Sequence, residues 1–494
     1  MSKENDKKQD YSKMMFSDTK KFANIVMNDM TQYKNTHTLL KKYDKETIQR
    51  FLENPETAEK QLRNISNILY NKSSHYKRLI LYFANMLTFS YIVEPYGFNP
   101  EDIDLKKFQN QYHNVLNMIE KMNVKHEFTK IMKVIFTQDI FYGYEFEAKE
   151  SYYIQRLKPE HCRISTIEDG CYNFEFNMAY FDRDKNKLKE YPEEFNRKYA
   201  RYKETNNPWQ ELDSENTICI KVNEETEIPI PPFSGIFEEV FDLAEYKNLR
   251  KTKEKMDIFK VLAQKLPMKK DSNEINDFLI DFDTMMNFHN KASESLPDEV
   301  GLITSPMEIA SIDVSNKKND IDNVAKTERD YWSSAGVSQS LFHSEKSSNN
   351  ALTKSIQTDE QIVYAILRQF ERWLNRKIKK ELKTYKYFKV KFLDITVFNS
   401  KEVFENNLKA AQFGFPTAMT AASALGLSPS SVSNMEFLEN DVLGIKDKFI
   451  PLRSSHTGSD SGESGNQTKD EDELSEEGEK TRDGEKNDTV QGVE

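Results

Sequence analysis

From Leu352 to Leu382 the apolar side chains Ile356, Val363, Leu367, Phe370, Leu374 and Ile378 recur at helical spacing. A single helix over those residues would run about 45 Å at its usual rise. Helices in globular proteins average about 11–12 residues. One of this length suits a bundle or a large assembly better than a small enzyme core, and it sets the terms for the other elements.

Glycine is the second constraint. The chain of 494 residues has 15 glycines, and six of them (458, 462, 465, 478, 484 and 492) lie in the tail. Phosphate-cradling loops need glycine because backbone must approach the ligand, often at positive φ. Neither GxxxxGK[ST] nor GxGxxG occurs, which argues against a P-loop motor or a dinucleotide-binding dehydrogenase. The cysteines are Cys162, Cys171 and Cys219, with no CxxC and no Cys/His cluster. Neither a disulfide framework nor a zinc site is expected, and the compartment expected is reducing cytoplasm. The opening MSKENDKKQD lacks the features of a secretory signal. Leu79–Val93 is the longest apolar-leaning run, but it is interrupted by Asn85, Thr88 and Ser90. It is short of a membrane span and is expected to be a buried helix.

The formal net charge is −11. Ser454–Glu494 holds 13 acids and 4 bases, so subtracting its −9 leaves −2 for residues 1–453. The tail has no aromatic residue and is expected to be disordered.

Along the chain, residues 1–60 read as a polar arm with helical pieces. Residues 61–93 and 105–136 carry apolar helical spacing. Short aromatic and β-branched runs then predict strands at Ile140–Glu147, Tyr152–Leu157, Cys162–Ile167, Tyr172–Tyr180 and Thr217–Val222. Asp169-Gly170 predicts a hairpin turn. Tyr191–Asn207 is charged and reads as a surface excursion. A helix is expected from Gly235, apolar at first and basic at Lys247, Arg250, Lys251, Lys253 and Lys255. Those cations either match the helix dipole on a solvated face or form a band facing a polyanion. Ile258–Met268, Val300–Thr304 and Met307–Val314 read as strands, and Glu274–Lys291 as an amphipathic helix. His289 on that helix's stripe reads as an interior histidine. Asp281 and Asp283 at i, i+2 point to different helix faces, so no metal site is expected there. A helix over Asn316–Ala335 has the stripe Ile321, Val324, Ala325, Trp332 and Ala335. A Ser/Asn-rich stretch leads into the long helix. Phe388–Phe398 alternates like a strand, and residues 401–446 return to short helices.

The order from Pro231 to Leu382 is helix, strand, helix, strands, helix, polar loop, very long helix. It resembles the portal proteins of tailed bacteriophages. Five stretches are similar to portals of phages of Gram-positive hosts: YNKSSHYKRLILYFANML (70–87), YYIQRLKPEHCRI (152–164), FEEVFDLAEYKNLRK (237–251), GVSQSLFHSEKSSNNALTKSIQTDE (336–360) and SNMEFLENDVLGIKDKFIPL (433–452). No one stretch is diagnostic alone; the specificity lies in their shared order over about 60–450.

The resemblance implies an α+β, predominantly helical portal-type fold that closes into a ring. It would comprise an N-terminal arm (1–60), a wing (60–230), a first stem helix (231–255), a clip (256–315), a second stem helix (316–335), a tunnel loop (336–352), a long wing helix and strand (353–400), crown helices (401–446) and the acidic tail (454–494). It implies a dodecamer at one capsid vertex, through which double-stranded viral DNA is packaged and ejected. The implied partners are the terminase large subunit, scaffold and major capsid proteins, and head-completion adaptors, with no membrane, cofactor or metal. The implied location is the virion, with assembly in host cytoplasm. No catalytic residue is expected. The resemblance makes Phe342, His343, Ser344, Glu345, Lys346, Ser347, Ser348, Asn349 and Asn350 the DNA-facing loop, with Phe342 as its anchor. Lys247, Arg250, Lys251, Lys253 and Lys255 become a candidate basic belt. An ordinary exposed connector is the plainer reading of the same loop. Two other functions compete: a DNA-processing enzyme of the packaging machinery, which would need a nucleotide loop or a clustered acidic metal site, and a helical scaffold with no DNA role.

Overall fold

The computed structural model describes residues 43, 45–148, 151–226, 228–243, 260–265, 300–305, 319–342, 349–381 and 387–445, and isolated positions between 269 and 291. The described chain is a mostly helical α+β mixture. It divides into two units, Met1–Val432 and Ser433–Glu494.

The first unit begins with three helices, α1 (Lys45–Glu53), α2 (Pro55–Lys72) and α3 (Ser74–Ala84). Proline at the first turn of α2 and the Ser73 hydroxyl accepting from Tyr76 N explain why they start where they do. The polar arm expected over 1–60 thus gives way to helix from Lys45, with Ile48 fully buried. The helix expected through Val93 stops at Ala84; Tyr91–Pro95 is a strand, β1. Asn85 caps α3, and Phe89 at φ 51° turns the chain into the strand.

Helices α4 (Leu105–Met122) and α5 (Val124–Gln138) follow, joined at Asn123. Asp104 caps α4 by accepting from the amides of Lys106 and Lys107. Asn123 takes φ 47° and ends one helix while starting the next, a conformation asparagine tolerates better than most residues.

Two three-stranded antiparallel sheets come next. The first has the order β3 (Tyr152–Leu157), β2 (Ile140–Glu147), β7 (Thr217–Lys221); the second has β4 (Cys162–Glu168), β5 (Cys171–Asn177), β6 (Trp209–Glu211). Asp169 and Gly170 both have positive φ, 52° and 71°, as a type I′ hairpin turn requires. Gly143 sits at the centre of β2, where a Cβ would lie 2.5–2.8 Å from Phe141, Ile154 and Ile218. The stretch expected to be a surface excursion is instead helix α6 (Glu193–Thr205). Its charges hid two inward rings four residues apart, Phe195 and Tyr199, which close a second core with Tyr142, Phe174, Phe176 and Phe181.

Beyond β7 the chain is helical over 237–243, with Phe237, Val240 and Leu243 buried. β8 (Lys260–Lys265) pairs in parallel with β9 (Val300–Ser305). The helix and strand expected at Glu274–Lys291 and Met307–Val314 lie outside the described residues, apart from isolated positions. α7 (Asn319–Ser334) precedes α8 (Asn349–Glu381), a helix of 33 residues. β10 (Phe388–Phe392) pairs antiparallel with β1. It is shorter than the strand expected to Phe398, and only a single bridge, Leu87 to Thr396, continues it. α9 (Ser400–Gln412), α10 (Ala418–Ala424) and α11 (Pro429–Phe437) end the described helical region.

α8 organises the main core. Its expected stripe is inward from Val363 onward, with Val363, Leu367, Phe370, Leu374 and Ile378 all buried with Phe128, Ile135 and Phe392, whereas Ile356 near its start is only half-buried. It also closes the edges of two sheets with side chains. Gln369 accepts from Lys221 N and donates to Lys221 O, at 3.1 and 2.6 Å, taking the place of a further strand beside β7. Asn375 does the same for Val390 of β10, at 2.8 Å each way, and the Glu371 carboxylate accepts from Phe392 N. Unpaired strand edges invite association with other chains, and these contacts satisfy them internally. Trp373 Nε1 donates to Thr217 O and Arg376 donates to Asn173 Oδ1, so one helix holds both sheets.

In the second unit the described residues are 433–445, comprising the end of α11, a π-helical turn, Leu438–Val442, and the three residues after it.

Candidate functional site: the anchor on either side of residues 343–348

The last turn of α7 ends at glycine for a geometric reason. Gly336 has φ 75°, and the amides of Gly336 and Val337 return to the carbonyls of Ser333 and Trp332. A single 3-10 turn, Gln339–Leu341, then folds the chain back, with Phe342 N donating to Gln339 O. The result places the Phe342 ring flat on Trp332, with centroids 3.9 Å apart and planes 15° from parallel. Trp332 and Tyr331 are fully buried.

α3 supplies the other side of this anchor. The Arg78 guanidinium lies 5.0 Å from the Phe342 ring centre, and Tyr82 meets the same ring edge-on at 5.8 Å. His75 packs against Tyr331 and Trp332 and pairs with Glu328 of α7 at 3.3 Å. His75, Arg78 and Tyr82 follow the i, i+3, i+7 spacing of one helix face. Tyr82 also donates to Asp359 Oδ2 at 2.9 Å. Asp359 is buried on α8, and burial pushes its carboxyl up to about 6, against the lowering effect of the Tyr82 hydrogen bond. Burial pushes the Tyr82 phenol well above its ordinary value, with the Asp359 charge adding to it. Neighbouring Glu360 accepts from the Thr396 hydroxyl, and Tyr364 receives Asn399 Nδ2. One side chain, Tyr82, therefore touches the chain before residue 343 and the helix after residue 348.

Of the residues expected to form a DNA-facing loop, Phe342 is the half-buried anchor just described, and Asn349 and Asn350 begin α8, with Asn350 exposed. His343, Ser344, Glu345, Lys346, Ser347 and Ser348 lie outside the described residues. So do Lys247, Arg250, Lys251, Lys253 and Lys255. On α7, Trp332 is inward as its stripe predicts, whereas Ala325 is exposed and Tyr331 takes an inward place the stripe did not include.

Sequence reasoning missed His75, Arg78, Tyr82 and Asp359. The signal for the first three was available: a basic and aromatic face on an otherwise apolar helix. Asp359 gave none, because an acid within a long charged helix looks solvated.

Among the described residues no group of three or more His, Cys, Asp or Glu side chains is placed to hold a metal ion, and no helix is long and apolar enough to cross a membrane.

No family model matches the chain, and no curated protein matches it. Among solved structures, a chain of one described as "Virion of native gene transfer agent (GTA) particle" aligns at 11% identity, covering 75% of this chain and 94% of its own, with a TM-score of 0.40.

Proposed function

We propose that the chain is the subunit of a ring-shaped portal in a virion, through which double-stranded viral DNA is packaged and ejected. The observation that carries this reading is the succession of α7, the Phe342 anchor, the polar stretch 343–348 and the 33-residue α8. A segment gripped on both sides by Tyr82 and continued by a long rigid helix is suited to being held at a fixed radius around an axis. The proposed dodecamer would repeat that segment around the bore.

Such a ring must conduct a stiff polyanion without holding it. Each phosphate neutralised by Lys or Arg adds salt-sensitive affinity, so a densely basic bore would stall movement. The near-neutral body and the Ser/Asn-rich stretch, in which Glu345 and Lys346 cancel, favour weak contacts to phosphate and sugar without base reading. Force would come from a separate terminase motor docked on residues 256–315, which head-completion adaptors would meet later. Scaffold and major capsid proteins would surround the ring at one vertex. In this reading Lys247, Arg250, Lys251, Lys253 and Lys255 form a sparse positive belt that slows backward slippage. Lys251→Glu should therefore reduce DNA retention while leaving the yield of assembled rings unchanged; an equal loss of rings would remove that role.

Negative-stain imaging with native mass measurement of the purified full chain tests the function itself. A wide annulus with an axial hole is expected. A lone compact monomer, or a chain that hydrolyses nucleotide unaided, would overturn it.

A further inference from the structure

In the first unit, two unusual surfaces lie at opposite ends of α10. At its N-terminal end the turn Phe413-Gly414-Phe415 holds two phenyl rings in solvent, 83% and 64% exposed. The turn is rigid. Gly414 has φ 87°, its amide returns to Ala411 O, Phe415 N returns to Ala410 O, and the Thr417 hydroxyl donates to Asn407 O. Rings on a hydrogen-bonded turn cannot collapse onto their own chain to escape water.

At the C-terminal end of α10, residues 426–428 form one wall of a cleft of about 190 Å³. The remaining lining mixes the apolar Phe89, Tyr91, Ile119 and Val124 with Thr88, Ser90 and Asn123 and with the charged Glu120 and Lys125. Phe89, Asn123 and Gly426 all hold positive φ around it, at 51°, 47° and 89°. For Phe89 that backbone state is costly, and strain of this kind persists where surrounding structure enforces a shaped site. An apolar cavity of about 150 Å³ accepts a benzene molecule. The cleft therefore has room for one phenyl ring.

The occupant cannot come from the acidic tail, because Ser454–Glu494 contains no aromatic residue. Nor can the 413–415 turn fill the cleft of its own chain, since the two sit at opposite ends of a helix about 10 Å long. A second copy carries both halves of the match. Lys409, exposed one turn before Phe413, has an acidic counterpart in Glu120 of the cleft lining, whose carboxylate also accepts from the Ser428 hydroxyl at 2.7 Å.

We propose that the Phe413-Gly414-Phe415 turn of one copy seats a phenyl ring in the cleft between residues 89–91, 119–124 and 426–428 of a second copy. Donor and acceptor are different patches, so the contact is head-to-tail and propagates into a ring where its rotation closes. The inference rests on the multi-copy reading above for its partner and adds the surface that joins the copies.

Mixed cross-linking of the full chain tests it. Cys162, Cys171 and Cys219 are buried, and burial raises each thiol, so they compete little with introduced thiols. Phe415→Cys and Leu427→Cys proteins, mixed and oxidised with a thiol-specific oxidant, should give a cross-linked dimer that neither gives alone. Both substitutions in one chain should give a ladder of trimers and larger species. No mixed dimer overturns the proposal, and a ladder that stops at dimer overturns its head-to-tail form. Phe413→Ala with Phe415→Ala should keep the helical spectrum and raise the concentration needed for assembly at least tenfold. Rings that form at an unchanged concentration would overturn the interface while leaving the ring itself standing. A wild type that stays monomeric at every concentration would instead overturn the ring, and this contact with it.

Discussion

Replacing Phe342 by alanine removes the clamp before residue 343 without touching any charged group. Three losses follow from the geometry. Phe342 is half-buried, so about half of the 1.5–3 kcal/mol usual for burying a phenyl side chain goes, roughly 1–1.5 kcal/mol. The stack on Trp332, at 3.9 Å and 15°, is worth about 0.5–1.5 kcal/mol beyond area. The Arg78 contact at 5.0 Å adds about 0.5–1 kcal/mol. The total is about 2–4 kcal/mol, or a factor of about 30 to 700 in local opening by the usual conversion of 1.4 kcal/mol per tenfold. Amide hydrogen exchange is the assay, because it reads local opening in an assembled ring as well as in a monomer. Val337 N and Phe342 N, both hydrogen-bonded within the turn, should exchange faster by that factor, while amides of β2 should not change. Phe342→Leu restores most of the burial but neither ring contact, so it should recover less than half of the loss. If Phe342→Ala speeds those amides by less than threefold, the anchor is not what holds this turn.

Other outcomes test the core. Asp139 is fully buried and burial pushes its carboxyl up to about 7, despite Lys221 at 3.9 Å and the Asn223 hydrogen bonds. Because the folded state holds this proton more tightly than the unfolded chain, Asp139 contributes stability that is full below about pH 4 and lost as pH rises to 7, about 4 kcal/mol in all; Asp139→Asn should flatten that part of the stability profile in urea titrations. Gly143→Ala forces a methyl against Phe141, Ile154 and Ile218 and should cost about 1–3 kcal/mol by chemical denaturation, with no effect if β2 has room there. Lys377→Met leaves the buried Glu145 carboxylate with only the Tyr152 hydroxyl and should cost about 3–5 kcal/mol. Burial already raises Glu145, so that variant should regain stability as pH falls, and Glu145→Gln added to it should recover most of the loss in a double-mutant cycle.

Much of the architecture was legible in local pattern. Runs rich in aromatic and β-branched residues found β2 and β3 to the residue, and Asp169-Gly170 marked the hairpin between β4 and β5 because only a few residues accept two positive φ values in succession. The stripe from Val363 to Ile378 named the inward face of α8. Errors came where two signals competed. Tyr191–Asn207 was dense in charge, and the charge masked the Phe195 and Tyr199 spacing of α6. Leu79–Val93 was an apolar-leaning run broken only by Asn85, Thr88 and Ser90, and such a run fits a buried helix or a buried strand.

The sequence by itself settled the type of β2 and β3 and the facing of α8, because both depend on side chains within a few residues of each other. Tertiary structure alone decided which polar groups on those elements are working parts. Gln369, Asn375 and Arg376 read as the solvated side of a long helix, yet they close the edge of β7, the edge of β10 and the join between two sheets. Tyr82 reads as one aromatic among many, yet it meets Phe342 and Asp359 from positions 260 and 277 residues away in the chain. A buried polar atom must find a partner, but the choice of partner is a property of the assembled fold, and no local spacing carries it.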